Sequence, residues 1–317
     1  KSYGYTTANE GRMFGAMHAD MANAAERGLV DIDFNGWMDY SNRAEIDRGF
    51  ATAYTNHYRL AGLKITLDGS PQGRTAWRTV AYLIPPDGQE PGYKGYPAIP
   101  DTKQVEAYLD EAYTKGWPVN VHANGDAPID QLFQALKPVV AKHGVKPGQV
   151  ILIHGQFIRS DQVQELKSLG IFPSMFPMHT FYWGDWYKQI VGPEQAARIS
   201  PMRSILNTGL HATSHTDAPV ALPNLMQVVW ATVNRTSRSG TVIGPDERVT
   251  PYEAMKMITL WGAEQFGEQA TKGSIQEGKL ADLVVLSDNP LTVDPATINQ
   301  IQVLETIKEG KTVWVRE

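Results

Sequence analysis

Cysteine is absent from the 317 residues. This excludes disulfides, thiolate metal sites and a cysteine nucleophile, so any metal must rest on nitrogen and oxygen donors. No apolar run approaches the roughly 18 residues of a membrane span. A basic surplus is missing as well: 29 Lys and Arg stand against 34 Asp and Glu, a net charge of −5. Without a basic stripe the chain offers nucleic acid no footprint. Internal repeats and low-complexity tracts are also lacking, and the first residue, Lys1, is not a methionine although the segment reads as structured. What is there is ordinary globular material. With 42% hydrophobic and 20% charged residues, disorder is excluded and a sizeable core is expected. At roughly 150 residues per domain the length fits two domains, or one large α/β barrel with an appendage.

Short β-branched runs alternate with longer helical stretches, the pattern of βα units around a parallel sheet. Strands are expected at residues 3–8, 29–34, 58–67, 118–122, 150–154, 171–175 and 211–215, with helices between and after them, the last a single helix over 251–266. Two connections break the rhythm: residues 70–101, rich in glycine, proline and aromatics, and the aromatic stretch 176–186. A loop as long as the first predicts a functional lid or wall. After Gly273 the texture changes to short strands at 283–286, 301–307 and 312–315, which divides the chain into a barrel part, 1–272, and a small β appendage, 273–317. The strands ahead of that boundary are one short of a (β/α)8 TIM-like barrel.

In such a barrel the active site lies at the C-terminal ends of the strands. Three strands end alike, at His122, at His154 and at His215-Thr216-Asp217. A lone histidine at a strand end is commonly structural. Successive strands ending in histidine, with an aspartate after the last, predict a metal centre, and imidazole with carboxylate suits Zn²⁺, with Mn²⁺, Fe²⁺ or Ni²⁺ as alternatives. Lys64 lies among apolar residues and shares a strand face with Thr66 and Asp68. It is either paired with a neighbouring carboxylate or held neutral by burial, able then to take up CO₂ as a carbamate. No G-x-S-x-G elbow and no phosphate loop occur. His179, Trp183 and Asp185 on the second aromatic connection are packing residues or, for the histidine, a face turned to substrate.

Several stretches together resemble the amidohydrolase superfamily of metal-dependent hydrolases, in the family 3 branch that includes N-substituted formamide deformylases. They are Leu63-Lys64-Ile65 through Asp68-Gly69-Ser70, Val121-His122-Ala123-Asn124-Gly125-Asp126, Ile153-His154-Gly155-Gln156 and Ser214-His215-Thr216-Asp217-Ala218-Pro219-Val220. The most specific is the tail from Gly273-Ser274-Ile275 through Gly278-Lys279-Leu280-Ala281-Asp282-Leu283-Val284-Val285-Leu286 to Gly310-Lys311-Thr312-Val313. The resemblance implies a barrel with a β-sandwich built from both chain ends. It implies that Lys64 is the carboxylated lysine of the fourth barrel strand, that His122 and His154 are the ligands of the fifth and sixth, and that Asp217 is the eighth-strand aspartate, which contacts metal and shuttles protons. One or two divalent ions, zinc foremost, and a small-molecule substrate follow. His179, Trp183 and His215, with Trp77 and Tyr182, are expected around that substrate.

The family's first-strand H-x-H pair does not occur: His18, His57, His122, His143, His154, His179, His211 and His215 are all differently spaced. The strand series therefore matches the family's second to eighth strands, and the expectation is a C-terminal portion of a longer enzyme that hydrolyses a C–N bond, amide or N-acyl, by attack of a metal-activated water on the carbonyl. The expectation from another class is a non-catalytic fragment, or a regulatory protein on the same fold, inactive for want of the first-strand ligands. Either way the open barrel edge calls for a cover, the protein's own N-terminal part or another copy. The compartment, cytoplasmic or periplasmic, is left open.

Overall fold

The computed structural model describes residues 1–317. Seven parallel strands form one sheet in strict sequence order: β1 (Thr7–Met13), β2 (Asp33–Asp39), β3 (Tyr58–Thr66), β4 (Val119–Ala123), β5 (Val150–His154), β6 (Phe172–Met175) and β7 (Thr213–Ser214). Helices α1 (Gly15–Glu26), α2 (Arg43–Gly49), α3 (Thr102–Lys115), α4 (Asp126–His143) and α5 (Ser160–Ser168) follow the first five strands. Beyond β6 come α6 (Met178–Ile190), α7 (Pro193–Ala197) and α8 (Met202–Asn207), and beyond β7 come α9 (Leu225–Asn234), α10 (Pro251–Met257) and α11 (Leu260–Gln265). The sheet curls as the wall of a TIM-like barrel, and β7 does not pair with β1, so the wall stands open along those two edges.

Strands buried on both faces read as continuous apolar runs, and β5 is one. Leu63, Val119, Val121, Val150 and Leu152 point outward into a core shared with Leu109, Leu132, Leu136 and Leu166 of the helices. On the opposite, inner face Trp37, Ala61 and Ile151 pack with Ile153, Phe172 and Phe266. A register shift in the β2–β3 ladder sets Trp37 opposite Gly62. A Cβ there would stand 2.4 Å from the indole and 2.5 Å from the Pro118 carbonyl, so this position needs glycine.

The tail forms a second, antiparallel sheet of β8 (Leu283–Leu286), β9 (Val303–Lys308) and β10 (Lys311–Val315), with β9 in the middle. It is fastened to the foot of the barrel by charge. Asp33, at the start of β2, is buried and accepts from the ammonium of Lys272, from Lys308 at 2.7 Å and from His57 at 2.8 Å. Lys308 also reaches Asp282 at 2.8 Å, and Lys272 reaches Glu268 at 2.7 Å, which in turn takes Arg59 at 2.5 Å.

Some expected elements are displaced. The first strand starts at Thr7, not Tyr3, because residues 1–4 turn at Gly4 (φ +85°) and lie beside the tail sheet, where the Thr306 hydroxyl donates to the Lys1 carbonyl at 2.9 Å. The second strand is Asp33–Asp39; Leu29, counted as its start, is exposed. The aromatic stretch 176–186, read as a connection, is mostly helix α6. The expected single helix over 251–266 breaks into α10 and α11 at Thr259 (φ −127°, ψ −93°), beside the β-branched Ile258. The ladder of the last barrel strand is only Thr213–Ser214, paired with Ser174 and Met175 of β6.

Candidate metal centre

Register places the candidate ligands. Lys64 pairs with Asp39 on one side and Asn120 on the other, His122 lies opposite Thr66, and His154 lies opposite Ala123. Val119 and Val121 face the helices, so alternation turns Asn120 and His122 into the barrel. On β5 the inward residues are Ile151 and Ile153, and strict alternation would turn His154 outward. His154 instead adopts φ +78°, a left-handed conformation rare for a residue with a side chain. Its ring lies 4.6 Å from that of His122 and 4.9 Å from that of His215. Backbone strain of this kind gathers at functional sites.

The His122 Nε2 faces two oxygens and one amide nitrogen: Asp68 Oδ1 lies 3.4 Å away and Asn124 Nδ2 3.2 Å. The second oxygen is the Gly69 carbonyl at 3.1 Å, which also accepts from the Asn124 amide at 3.0 Å. The two oxygens favour the tautomer protonated on Nε2, against the amide nitrogen, and that tautomer leaves the Nδ1 lone pair for a metal. Lys64 is buried, and desolvation pulls its ammonium down to about 8, against the pull of Asp217 and Asp39 in the other direction. The Asp217 residue is solvent-exposed at the mouth, yet protein gathers densely around its carboxyl; this raises its pKa against the opposing charges of His122 and Lys64. Burial also keeps His154 neutral, with its pKa well below the usual imidazole range, and pulls His215 down to about 3. Two imidazoles, a carboxylate and a buried amine of lowered pKa are a donor set that fits a divalent metal.

The stretch from His122 to Asp126 also builds the wall of the site. Asp68, at the end of β3, accepts the backbone N–H groups of Asn124 at 2.9 Å, Gly125 at 2.8 Å and Trp77 at 3.0 Å, which ties the long connection 70–101 to β4. A Cβ on Gly125 would come within 1.6 Å of the Trp77 carbonyl oxygen. Asp126 then takes the Thr79 amide at 3.0 Å. On the other side of the mouth α6 presents His179, Trp183 and Tyr187 at successive helical turns. The His179 ring packs 4.8 Å from both Phe176 and Trp183, and its Nδ1 meets the Tyr187 hydroxyl at 2.5 Å. Asp185, on the same helix, bonds Ser237 and Ser239 of a neighbouring loop rather than the site.

Lys64, His122, His154, His215 and Asp217 thus converge at one end of the barrel, with His179 behind Phe176, which stacks on His215 at 5.3 Å. Sequence reasoning did not mark Asp39, Arg12 or Ser174. Asp39 ends β2 beside Lys64. Despite burial, the Ser41 hydroxyl and amide and the Arg12 guanidinium (2.7 Å) hold its carboxyl below the usual range. A polar residue closing Gly36-Trp37-Met38 was the available signal, lost once the strand was placed too early. The only compact cluster of potential ligand atoms, Asp33, His57 and Glu309, lies at the opposite end. Since Asp33 there already neutralises two lysines, that cluster is a clasp and not a cation site.

Residues 1–314 match the family model described as the amidohydrolase family. The chain is similar to an N-substituted formamide deformylase of Arthrobacter pascens, 29% identical over 191 residues, which covers 60% of this chain and 35% of that protein. It is also similar to protein LONG AFTER FAR-RED 3 of Arabidopsis thaliana, 26% identical, covering 73% of this chain and 39% of the relative. Among solved structures, an uncharacterized metal-dependent hydrolase from Pyrococcus horikoshii OT3 superposes with a TM-score of 0.78 at 20% identity, over 90% of this chain and 57% of the other. The chain thus spans little more than a third of these two sequence relatives. The match over nearly every residue, with the open barrel and the strand-end cluster, means that the chain belongs to the amidohydrolase family.

Proposed function

We propose that the chain supplies most of the active centre of a metal-dependent hydrolase that cleaves a C–N bond, amide or N-acyl, in a small molecule. The observation that supports this reading is the convergence of Lys64, His122, His154 and Asp217 at the strand ends. A divalent cation, zinc foremost for these donors, supplies a Lewis acid and an acidified water when bound. His122, His154, Lys64 and Asp217 are the residues that would hold it. An amine whose pKa is lowered to about 8 is partly neutral near neutral pH. It can add to CO₂, forming an N–C bond and releasing a proton, which gives Lys64 one negative charge shared between two oxygens. Asp217 takes the proton of the attacking water and passes it to the leaving nitrogen. His179, Trp183 and the wall around Trp77 exclude bulk water and hold the substrate, with His215 between wall and ligands.

Two experiments on the full-length protein test these assignments. Asp217→Asn is expected to lower turnover in a screen of N-acyl and N-formyl amines by ~100-fold or more; unchanged turnover rejects the proton-shuttle role. With ¹³C-labelled bicarbonate, a carbamate resonance is expected in the native protein and absent in Lys64→Ala. Its absence in both rejects carboxylation.

β1 and β7 each carry an unpaired edge, and such edges recruit strands. The cover proposed is a further strand of the same polypeptide, or a second copy of the chain. The open wall also favours a second reading, a non-catalytic protein on the same fold. Near-stoichiometric zinc supports the hydrolase; a clean species of the expected mass without metal supports the alternative.

A further inference from the structure

The structure assigns His215 a positioning role: it fixes the proton of His154 through a chain His154–His215–Ser174, and it does not contact substrate. The inference rests on the metal-centre reading above. His154 Nδ1 lies 3.0 Å from His215 Nε2, and His215 Nδ1 lies 3.1 Å from the Ser174 hydroxyl. Both ring nitrogens of His215 are therefore committed. One face of its ring is covered by Phe176, nearly parallel at 20° and 5.3 Å between centroids. Its backbone N–H donates to the Met175 carbonyl at 3.0 Å, which locks the residue to the end of β6. A side chain so engaged has no polar atom left for a substrate.

A contact between two neutral imidazoles holds one proton, and its side decides what His154 can do. With the proton on His154 Nδ1, His215 Nε2 accepts, His215 carries its own proton on Nδ1, and the Ser174 oxygen accepts that one in turn. His154 Nε2 is then a free lone pair. With the chain reversed, His154 Nε2 would carry hydrogen and could bind no cation. A hydroxyl serves as donor or acceptor, so Ser174 completes the first arrangement at no cost.

The test uses the full-length protein with zinc as the probe, in His215→Phe, which keeps a ring on Phe176 but removes the acceptor, and in His215→Gln, which restores an acceptor oxygen. Zinc affinity by chelator competition is expected to fall about 10- to 100-fold in His215→Phe and to recover largely in His215→Gln. Long-range ¹H–¹⁵N spectra of the zinc-free native protein are expected to place the His154 proton on Nδ1. A His215→Phe protein with native zinc affinity and a raised KM would make His215 a substrate contact and overturn the inference. So would a His154 proton on Nε2, or equal loss in both variants with a lowered unfolding midpoint. A native protein without zinc affinity would instead overturn the metal-centre reading itself.

Discussion

Asp33→Asn is expected to destabilise the protein by about 3 kcal/mol or more, the range for breaking a buried ion pair from one side. Three largely buried carboxylates, Asp33, Glu268 and Asp282, balance three largely buried cations, Arg59, Lys272 and Lys308, in one connected network, with the exposed Glu309 3.3 Å from Lys308 at its rim. The side chains of Asp33 and Lys308 are 4% and 2% exposed, so solvent cannot take over the lost charge. Removing one carboxylate leaves a surplus buried ammonium. The guanidinium chloride midpoint should fall at constant slope, and adding Lys308→Met should return part of the loss because the two changes share a partner. A shift under about 1 kcal/mol would mean that water reaches these lysines and that the clasp contributes little.

A loss of similar size is expected for Asp68→Ala, with a different readout. The buried carboxylate takes three backbone N–H groups, from Trp77, Asn124 and Gly125. Each buried donor left without a partner costs roughly 1–3 kcal/mol, so the sum reaches about 3 kcal/mol even if water relieves some of it. The effect is local, because those bonds join the connection 70–101 to β4. Limited proteolysis should cut within that connection, and amide exchange should quicken at Trp77 and Gly125. Zinc affinity should fall too, since Gly69, the acceptor for His122, is next in the chain. Asp68→Asn keeps one acceptor oxygen and should fall between. A protease pattern like that of the native protein would show that the wall is held by other contacts.

The sequence carries the barrel most clearly where chemistry is local. Val150–His154 is a continuous apolar run closed by a histidine, and the strand has those bounds. The pattern failed for β1, Thr7–Met13, where Asn9, Glu10 and Arg12 sit on an edge strand and no alternation of apolar residues marks it. It failed for α6 because a dense aromatic stretch suggested a wall. The spacing of His179, Trp183 and Tyr187, four residues apart, is the helical signal that composition hid. The strand-end histidines and Asp217 were legible for a related reason: position on a single strand predicts their end of the barrel. The contacts of Asp39 with Arg12 and of His215 with His154 and Ser174 depend on register between strands, which no single strand encodes. Nor does alternation predict the left-handed turn that brings His154 inward.

The clasp at the foot of the barrel also bears on the order of folding. Each strand of the sheet pairs with the one before it in sequence, so each of those pairings closes a shorter loop than the clasp does. The bond from Lys308 to Asp33 spans 275 residues, so its loop closes only after the wall has formed. Interactions absent from the transition state govern unfolding rather than folding. Asp33→Asn should therefore leave the refolding rate near its native value and accelerate unfolding, with a φ-value near zero. The tail sheet acts in this sense as a latch on the lifetime of the folded state, while the pace of folding is set by the strands above it.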